Sequence, residues 1–365
     1  MDFSLSSDTI MLRDMLRRFV QKEAHPLEMK YFTTGKLEPE EKSRLRTAIE
    51  QLGLWGITVP EAFGGFGLDM VTACVVMEEL GQTFIPVDIG EVLPMLYACQ
   101  GEQIQRFLEP TLNGERHVFL AGREPNAPHP DDWQTKALAN HDAYTLNGCK
   151  TFVAIPEKQD FLIVLAHTVD GITAFLVDAD NDGITWQENG ASTLYLRNCR
   201  VSADEILGES GQALSLGKEE AARFCIRLGA RHLGLAQRLL EMVTSYVNDW
   251  VVFDVALSQR PAVQGFLADL QIRIESVRWL VYHTAWQVDQ GEPLRILASQ
   301  VRLATVSMLK EAVDLVTMMY GGPGPSPQLE IQRFVETKLP AAATELGLAY
   351  ARTAIASDLL SRNGV

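Results

Sequence analysis

The sequence predicts a mixed α+β protein with an all-helical N-terminal domain, a small central β-domain built as a barrel or sandwich, and a C-terminal four-helix bundle. Three observations predict this. Apolar residues recur at helical spacing through the first part of the chain and again beyond Gln212. Between these stretches the helical period gives way to short β-branched and aromatic runs punctuated by turn residues. A chain of 365 residues is also long enough to build more than one core. The expected boundaries are 1–117, 118–210 and 211–365.

The elements follow in order. Ser7 or Asp8 can cap a first helix carrying Met11, Leu12, Met15, Leu16, Phe19 and Val20, which is expected to stop near His25-Pro26. Glu41 to Leu52 reads as a second helix. It runs into LGLWGITVPEAFGGFG, from Leu52 to Gly67, where Gly64, Gly65 and Gly67 let the backbone take positive φ and let another surface come close. Met70 to Leu80 is a third helix with Glu78 and Glu79 on it, ending at Gly81, and Val92 to Ala98 and Glu102 to Leu112 are shorter ones.

The pattern changes at Val118. Strand-like runs appear at Val118–Ala121, Tyr144–Leu146, Thr151–Ala154, Phe161–Ala166, Thr173–Val177, Ile184–Trp186 and Ser192–Leu196, with Asn147-Gly148 read as a hairpin turn between two of them. They are too many for a loop insertion. The helical period then returns over Ala213–Val251, Ala262–Gln290, Leu294–Tyr320 and Leu329–Leu360, long segments that bury one face internally and offer another to neighbouring subunits.

Composition narrows the function. A net charge of −15 argues against nucleic acid and anionic membrane surfaces, since both need a basic face. The five cysteines are dispersed with no CxxC pair, which suits reduced thiols and gives no metal site. The start MDFSLSSDTI lacks the basic and apolar regions of a secretory signal, and no apolar run reaches the ~18 residues of a membrane span. A cytoplasmic location is the expectation.

The string from Leu52 to Gly67 resembles the N-terminal signature of the acyl-CoA dehydrogenase family, flavoenzymes that desaturate a thioester at Cα–Cβ. Further pieces resemble that family in the same order: Glu124-Pro125-Asn126-Ala127, Leu146-Asn147-Gly148-Cys149-Lys150, Ile206-Leu207-Gly208-Glu209, then Phe253, Gln264 and Leu267-Ala268-Asp269, and Gly321-Gly322-Pro323-Gly324. The resemblance implies FAD as cofactor, an acyl-CoA substrate, an electron-transfer flavoprotein as acceptor and a tetrameric assembly. It implies that a buried carboxylate removes the α-proton while the β-hydride passes to the flavin. Glu345 falls in register with the family's catalytic glutamate, although Leu346 and Gly347 replace its usual neighbours. Some relatives place the base where Phe224 stands here. CoA is itself polyanionic, so its site must use local cations and helix N-termini against the overall charge.

The departures from the family pattern cluster on positions that the resemblance assigns to FAD. Arg123 stands where a threonine meets the flavin ring. His129 replaces a serine at the pyrophosphate. Phe152, Val153 and Ala154 replace tryptophan, isoleucine and a hydroxyl residue lining the flavin. Trp250 replaces an arginine that reaches flavin phosphates across a subunit boundary, Asp254 a glycine nearby, and Pro261 a nucleotide-contacting glutamine; downstream, Glu336-Thr337 stands for arginine-aspartate. Gly321 and Gly322 persist as the loop glycines. Each lost charge-assisted contact is worth roughly 1.5–3 kcal/mol, and every ~1.4 kcal/mol is tenfold in affinity.

Two readings follow. In one, the chain works in FAD-dependent α,β-desaturation of an acyl-CoA, as a homo-oligomer or within a heteromeric complex with a paralogous acyl-CoA dehydrogenase subunit, as in bacterial steroid and bulky-acyl (fatty acid) catabolism. In the other, it is a non-catalytic structural partner that does not bind FAD itself. A third reading, motivated by Arg123, is a flavin fold turned to reduction or elimination on a thioester. Arg227, Arg231 and His232 read as a solvated or salt-bridged basic face, and Trp250, Trp279, Tyr282 and Trp286 as core or subunit interface.

Overall fold

The computed structural model describes residues 4–127, 129–189, 191–320 and 345–362. The described chain is helical at both ends with a β-sheet between them, and it divides into two compact units. One comprises Met1–Trp55, Gly67–Ile89 and Ala222–Val365; the other comprises Gly56–Phe66 and Gly90–Ala221.

In the first unit, helix α1 (Ser7–Phe19) is capped by Ser6, one residue before the expected cap, whose hydroxyl accepts from the Thr9 amide at 3.1 Å. The chain does not stop being helical at His25-Pro26. A π turn over Val20–Ala24 and a 3-10 turn over His25–Leu27 carry it into α2 (Glu28–Thr34), because proline is tolerated in the first turn of a new helix. Helix α3 (Pro39–Gln51) opens with a reciprocal capping box between Glu38 and Glu41.

Helix α4 (Met70–Gly81) is buried almost throughout, including Glu78 and Glu79, which explains why its sequence is apolar on every side. It packs on α1 and on α7 (Pro261–Asp289). Against it lies α6 (Lys218–Asp249), where Gly81 and Gly234 allow backbone-to-backbone approach: a Cβ on Gly234 would sit 1.9 Å from the Glu78 carbonyl oxygen. Helix α8 (Leu294–Tyr320) packs on α7 and on the last described helix, α9 (Glu345–Arg362).

The second unit carries the short helix α5 (Glu109–Leu112) and eight strands: β1 (Val118–Ala121), β2 (Lys136–Asn140), β3 (Ala143–Thr151), β4 (Phe161–Thr168), β5 (Gly171–Asp178), β6 (Ile184–Asn189), β7 (Ala191–Ser202) and β8 (Ile206–Leu207). Their order is β6-β7-β3-β2-β4-β5-β8, with β1 pairing in parallel to β4. Among the described residues the sheet stays open; no closed barrel is found.

The run Phe161–Ala166 is buried on both faces, as its continuous apolarity implies. Leu162, Val164 and Ala166 join a core with Leu146, Leu194, Leu196 and Val201. Phe161, Ile163 and Leu165 face Val92, Leu96, Phe107 and Leu108.

Asn147-Gly148 is not a hairpin turn. Strand β3 runs straight through it, and the register against β7 shifts between Leu146 and Gly148, a β-bulge. Glycine is required there because a Cβ would meet Thr135 Oγ1 at 2.3 Å. The real β2–β3 turn is at His141-Asp142, with His141 at φ 55°. The expected strand over Thr151–Ala154 ends at Thr151.

A final two-strand ribbon, β9 (Val251–Val252) and β10 (Val255–Ala256), lies between α6 and α7 in the first unit.

Candidate functional site

A buried polar arrangement in the second unit is built on Glu124 and Lys150. Lys150 lies near the end of β3 at 0% exposure, and its ammonium donates to Glu124 Oε1 at 2.9 Å. The same ammonium sits 4.5 Å from the centre of the Trp133 ring. The Glu124 carboxylate also accepts from the backbone amides of Gln134 at 2.6 Å and Thr135 at 3.0 Å. Burial by itself would raise the Glu124 carboxyl, but those two amides and the ammonium outweigh it and hold the group below its ordinary range. Burial draws the Lys150 ammonium down, and Glu124 offsets only part of that.

This pair fixes two neighbouring stretches that carry sequence-predicted site residues. Arg123, half-buried, precedes Glu124, and its carbonyl oxygen accepts from the Thr151 amide at 2.9 Å. Phe152 follows Thr151 at φ 57°, a conformation costly for an aromatic residue, with its side chain 64% exposed. Val153 is buried, and Ala154 and Ile155 are exposed. Arg123 and Phe152 therefore come together just past the end of β3, and Ala154 follows two residues on. His129 is exposed in the loop that follows Ala127. Its Nδ1 accepts from the Asp131 amide at 3.4 Å and lies 3.1 Å from the Asp131 carboxylate.

The other candidates belong to the first unit. Trp250 stacks on Tyr246, with ring centres 5.5 Å apart, and is half exposed at the end of α6. Glu345 stands at the start of α9. Gly321 and Gly322 lie outside the described residues. Arg227 and His232 are buried rather than on a solvated face. Among the described residues His232 Nδ1 has no hydrogen-bond partner, and burial followed by the charges of Arg231 and Arg302 lowers its pKa to about 4. Tyr282 is tied to Glu78, whereas Trp279 and Trp286 are exposed.

A flavin dinucleotide needs hydrogen-bond partners along its ring edge and positive charge or free amides at its pyrophosphate. The described side chains at the candidate positions do not form such a set. Phe152 and Ala154 offer no polar atom, the His129 ring is already engaged by Asp131, and Trp250 contributes an indole where a cation is wanted. Among the described residues, Phe152, Ala154, His129 and Trp250 therefore do not supply the donors a flavin dinucleotide needs, whereas Arg123 carries guanidinium donors of the right kind. Among the described residues no cluster of His, Cys, Asp and Glu could hold a metal ion, and no helix is long and apolar enough to cross a membrane.

Residues 6–115 match the model of the acyl-CoA dehydrogenase N-terminal domain, and residues 218–343 match that of its C-terminal domain. The chain is 30% identical to (R)-benzylsuccinyl-CoA dehydrogenase of Thauera aromatica, over 91% of this chain and 90% of the relative. The chain belongs to the acyl-CoA dehydrogenase family. It is an enzyme of that oxidoreductase family, whose relatives act on CoA thioesters.

A family relative of different name, 3-(aryl)acrylate reductase of Clostridium sporogenes, is 26% identical over 96% of this chain and 98% of its own length. The solved butyryl-CoA dehydrogenase of Megasphaera elsdenii shares the fold, with a TM-score of 0.80 and 24% identity over 99% of this chain and 100% of that one. Family membership carries an expectation of FAD, so the side chains at 129, 152, 154 and 250 are a departure within an otherwise preserved fold.

The sequence singled out Arg123, Phe152 and Ala154 through their motif positions; the structure brings Arg123 beside Thr151, the residue before Phe152, through a backbone hydrogen bond. It gave Glu124 and Lys150 no role. The available signal was Lys150 itself, a charged residue near the end of a strand-like stretch, which needs an anionic partner once buried.

Proposed function

We propose that this chain is a subunit of an acyl-CoA dehydrogenase complex that desaturates an acyl-CoA thioester at Cα–Cβ, with a paralogous chain gripping FAD. The carrying observation is the concentration of unsuitable donors on the positions that should hold the flavin, in a chain whose fold is otherwise that of its family. Glu345 is the proposed base in this reading, by its register. An electron-transfer flavoprotein is the proposed acceptor, and the location is the cytoplasm. The three segments 1–117, 118–210 and 211–365 are its proposed domains. The names of the relatives, benzylsuccinyl-CoA dehydrogenase and methylsuccinyl-CoA dehydrogenase, favour a branched or bulky acyl group over a plain fatty chain.

Expression with and without a paralogous chain that keeps threonine, serine and arginine at the positions of Arg123, His129 and Trp250 tests this. The chain alone should purify colourless and gain no flavin absorbance from added FAD, and the pair should co-purify yellow and active. A flavin-loaded, active homo-oligomer of this chain alone overturns the proposal. The second reading, a purely structural partner, is favoured by the same donor set. Glu345→Gln in the yellow complex separates the two: a loss of kcat of about 10³ or more supports the base, and unchanged kcat assigns this chain a scaffold role.

A further inference from the structure

We propose that Glu124 and Lys150 are a positioning pair that sets Arg123 and Phe152 toward the ligand without touching it. This rests on the subunit reading above, with the stretch that carries Arg123 and Phe152 turned to the acyl-CoA. The pair and one backbone bond cross-link the same two stretches. Glu124 meets Lys150 side chain to side chain at 2.9 Å, and the residues beside them, Arg123 and Thr151, meet carbonyl to amide at 2.9 Å. The Gln134 and Thr135 amides fix the carboxylate, and Trp133 closes over the ammonium. Both carboxylate oxygens of Glu124 are thereby held by donors.

A buried ion pair adds little net stability compared with apolar packing of the same volume, so its distinct contribution is directional. That direction bears on Phe152. Its positive φ survives only where the surroundings over-determine it. The anchors are Lys150 two residues before it and Val153 directly after, both buried, while the ring between them stays exposed. Arg123 is tied in the same way, from Glu124 on one side and through its own carbonyl on the other.

The test compares the wild-type full chain with the neutral double variant Glu124→Gln/Lys150→Met, which leaves no orphan charge. The urea midpoint should hold, while amide exchange at Thr151 and Phe152 should quicken about tenfold or more and exchange in β4 and β5 stays unchanged. In the co-purified complex, KM for acyl-CoA should rise about tenfold with kcat altered far less. Unchanged exchange at Thr151 overturns the proposal. So does a uniform rise across the sheet with a lower urea midpoint, which is what a merely structural pair gives. If the double variant does not fold, Glu124→Asp carries the same test, because it keeps the charge and shortens its reach. The exchange measurement needs no partner chain, so failure to form a complex sinks the subunit reading while exchange still decides the pair.

Discussion

Arg278 on α7 donates through Nε to the Glu78 carboxylate on α4 at 2.9 Å, joining residues separated by 200 positions. Tyr282, one turn further along α7, donates to the other carboxylate oxygen at 2.8 Å, and Arg278 also pairs with Glu275. Arg17 and Arg238 do the same for Glu79 and Glu28, so buried carboxylates near α4 are answered by cations from α1, α6 and α7. Burial, with the Glu78 charge added, pushes the Tyr282 phenol far above its ordinary range, so it stays a donor.

Arg278→Met should therefore destabilise the protein by about 3 kcal/mol, since it strands a buried carboxylate. Glu78→Gln/Arg278→Met should recover part of that loss. Urea unfolding of both variants checks this, and a double variant no better than the single one counts against it.

The α4–α6 contact depends on two glycines. A Cβ on Gly81 would lie 2.2 Å from the Arg231 carbonyl oxygen, the counterpart of the Gly234 approach to Glu78. These are backbone atoms that cannot swing away. Gly234→Ala should cost about 3 kcal/mol or abolish soluble expression, whereas Gly265→Ala on α7, with open space around it, should be neutral or slightly stabilising. Thermal denaturation of the two variants side by side gives the comparison.

His232 supplies a pH dependence with a definite sign. Its folded pKa, about 4, lies below its ordinary value of about 6.5, so the unfolded chain binds the proton more readily. Stability is then full above pH ~6.5 and is lost as pH falls from there toward 4, by about 3 kcal/mol from this one group. His232→Leu should flatten that part of the stability curve. Unfolding midpoints at pH 4.5 and 7.5 would disprove the assignment if the two proteins lost stability in parallel.

The β9–β10 turn carries Phe253 and Asp254 at φ 53° and 58°, the geometry of a two-residue turn that favours Asn-Gly. Phe253 is 90% exposed, so its ring repays none of the strain within this chain. Phe253→Asn/Asp254→Gly should stabilise the isolated chain by about 1 kcal/mol. If the exposed ring instead serves a partner subunit, the same change should weaken co-purification, and a pull-down at increasing salt measures that.

What could be read from the sequence was what short-range periodicity encodes. The apolar stripe of α1, the all-round apolarity of Met70–Gly81 and the continuous run Phe161–Ala166 each named their element correctly, because burial of a helix face or a strand acts over neighbouring residues. The errors were local signals overruled by packing. Asn147-Gly148 has turn chemistry, yet Thr135 and the β7 register hold it inside a strand as a bulge. His25-Pro26 looks like a stop, yet the chain rewinds through it.

The candidate site divides in the same way. Motif register was enough to single out Arg123, Phe152 and Ala154, and their departure from the family's residue types was legible in the sequence. That Lys150 reaches Glu124, that Arg278 reaches Glu78 and that Arg227 and His232 turn inward depended on which surfaces the folded helices and strands bring together. A sequence specifies each residue's chemistry and its local period; the partner of a buried charge is chosen by long-range packing, where the cost of desolvation leaves few alternatives.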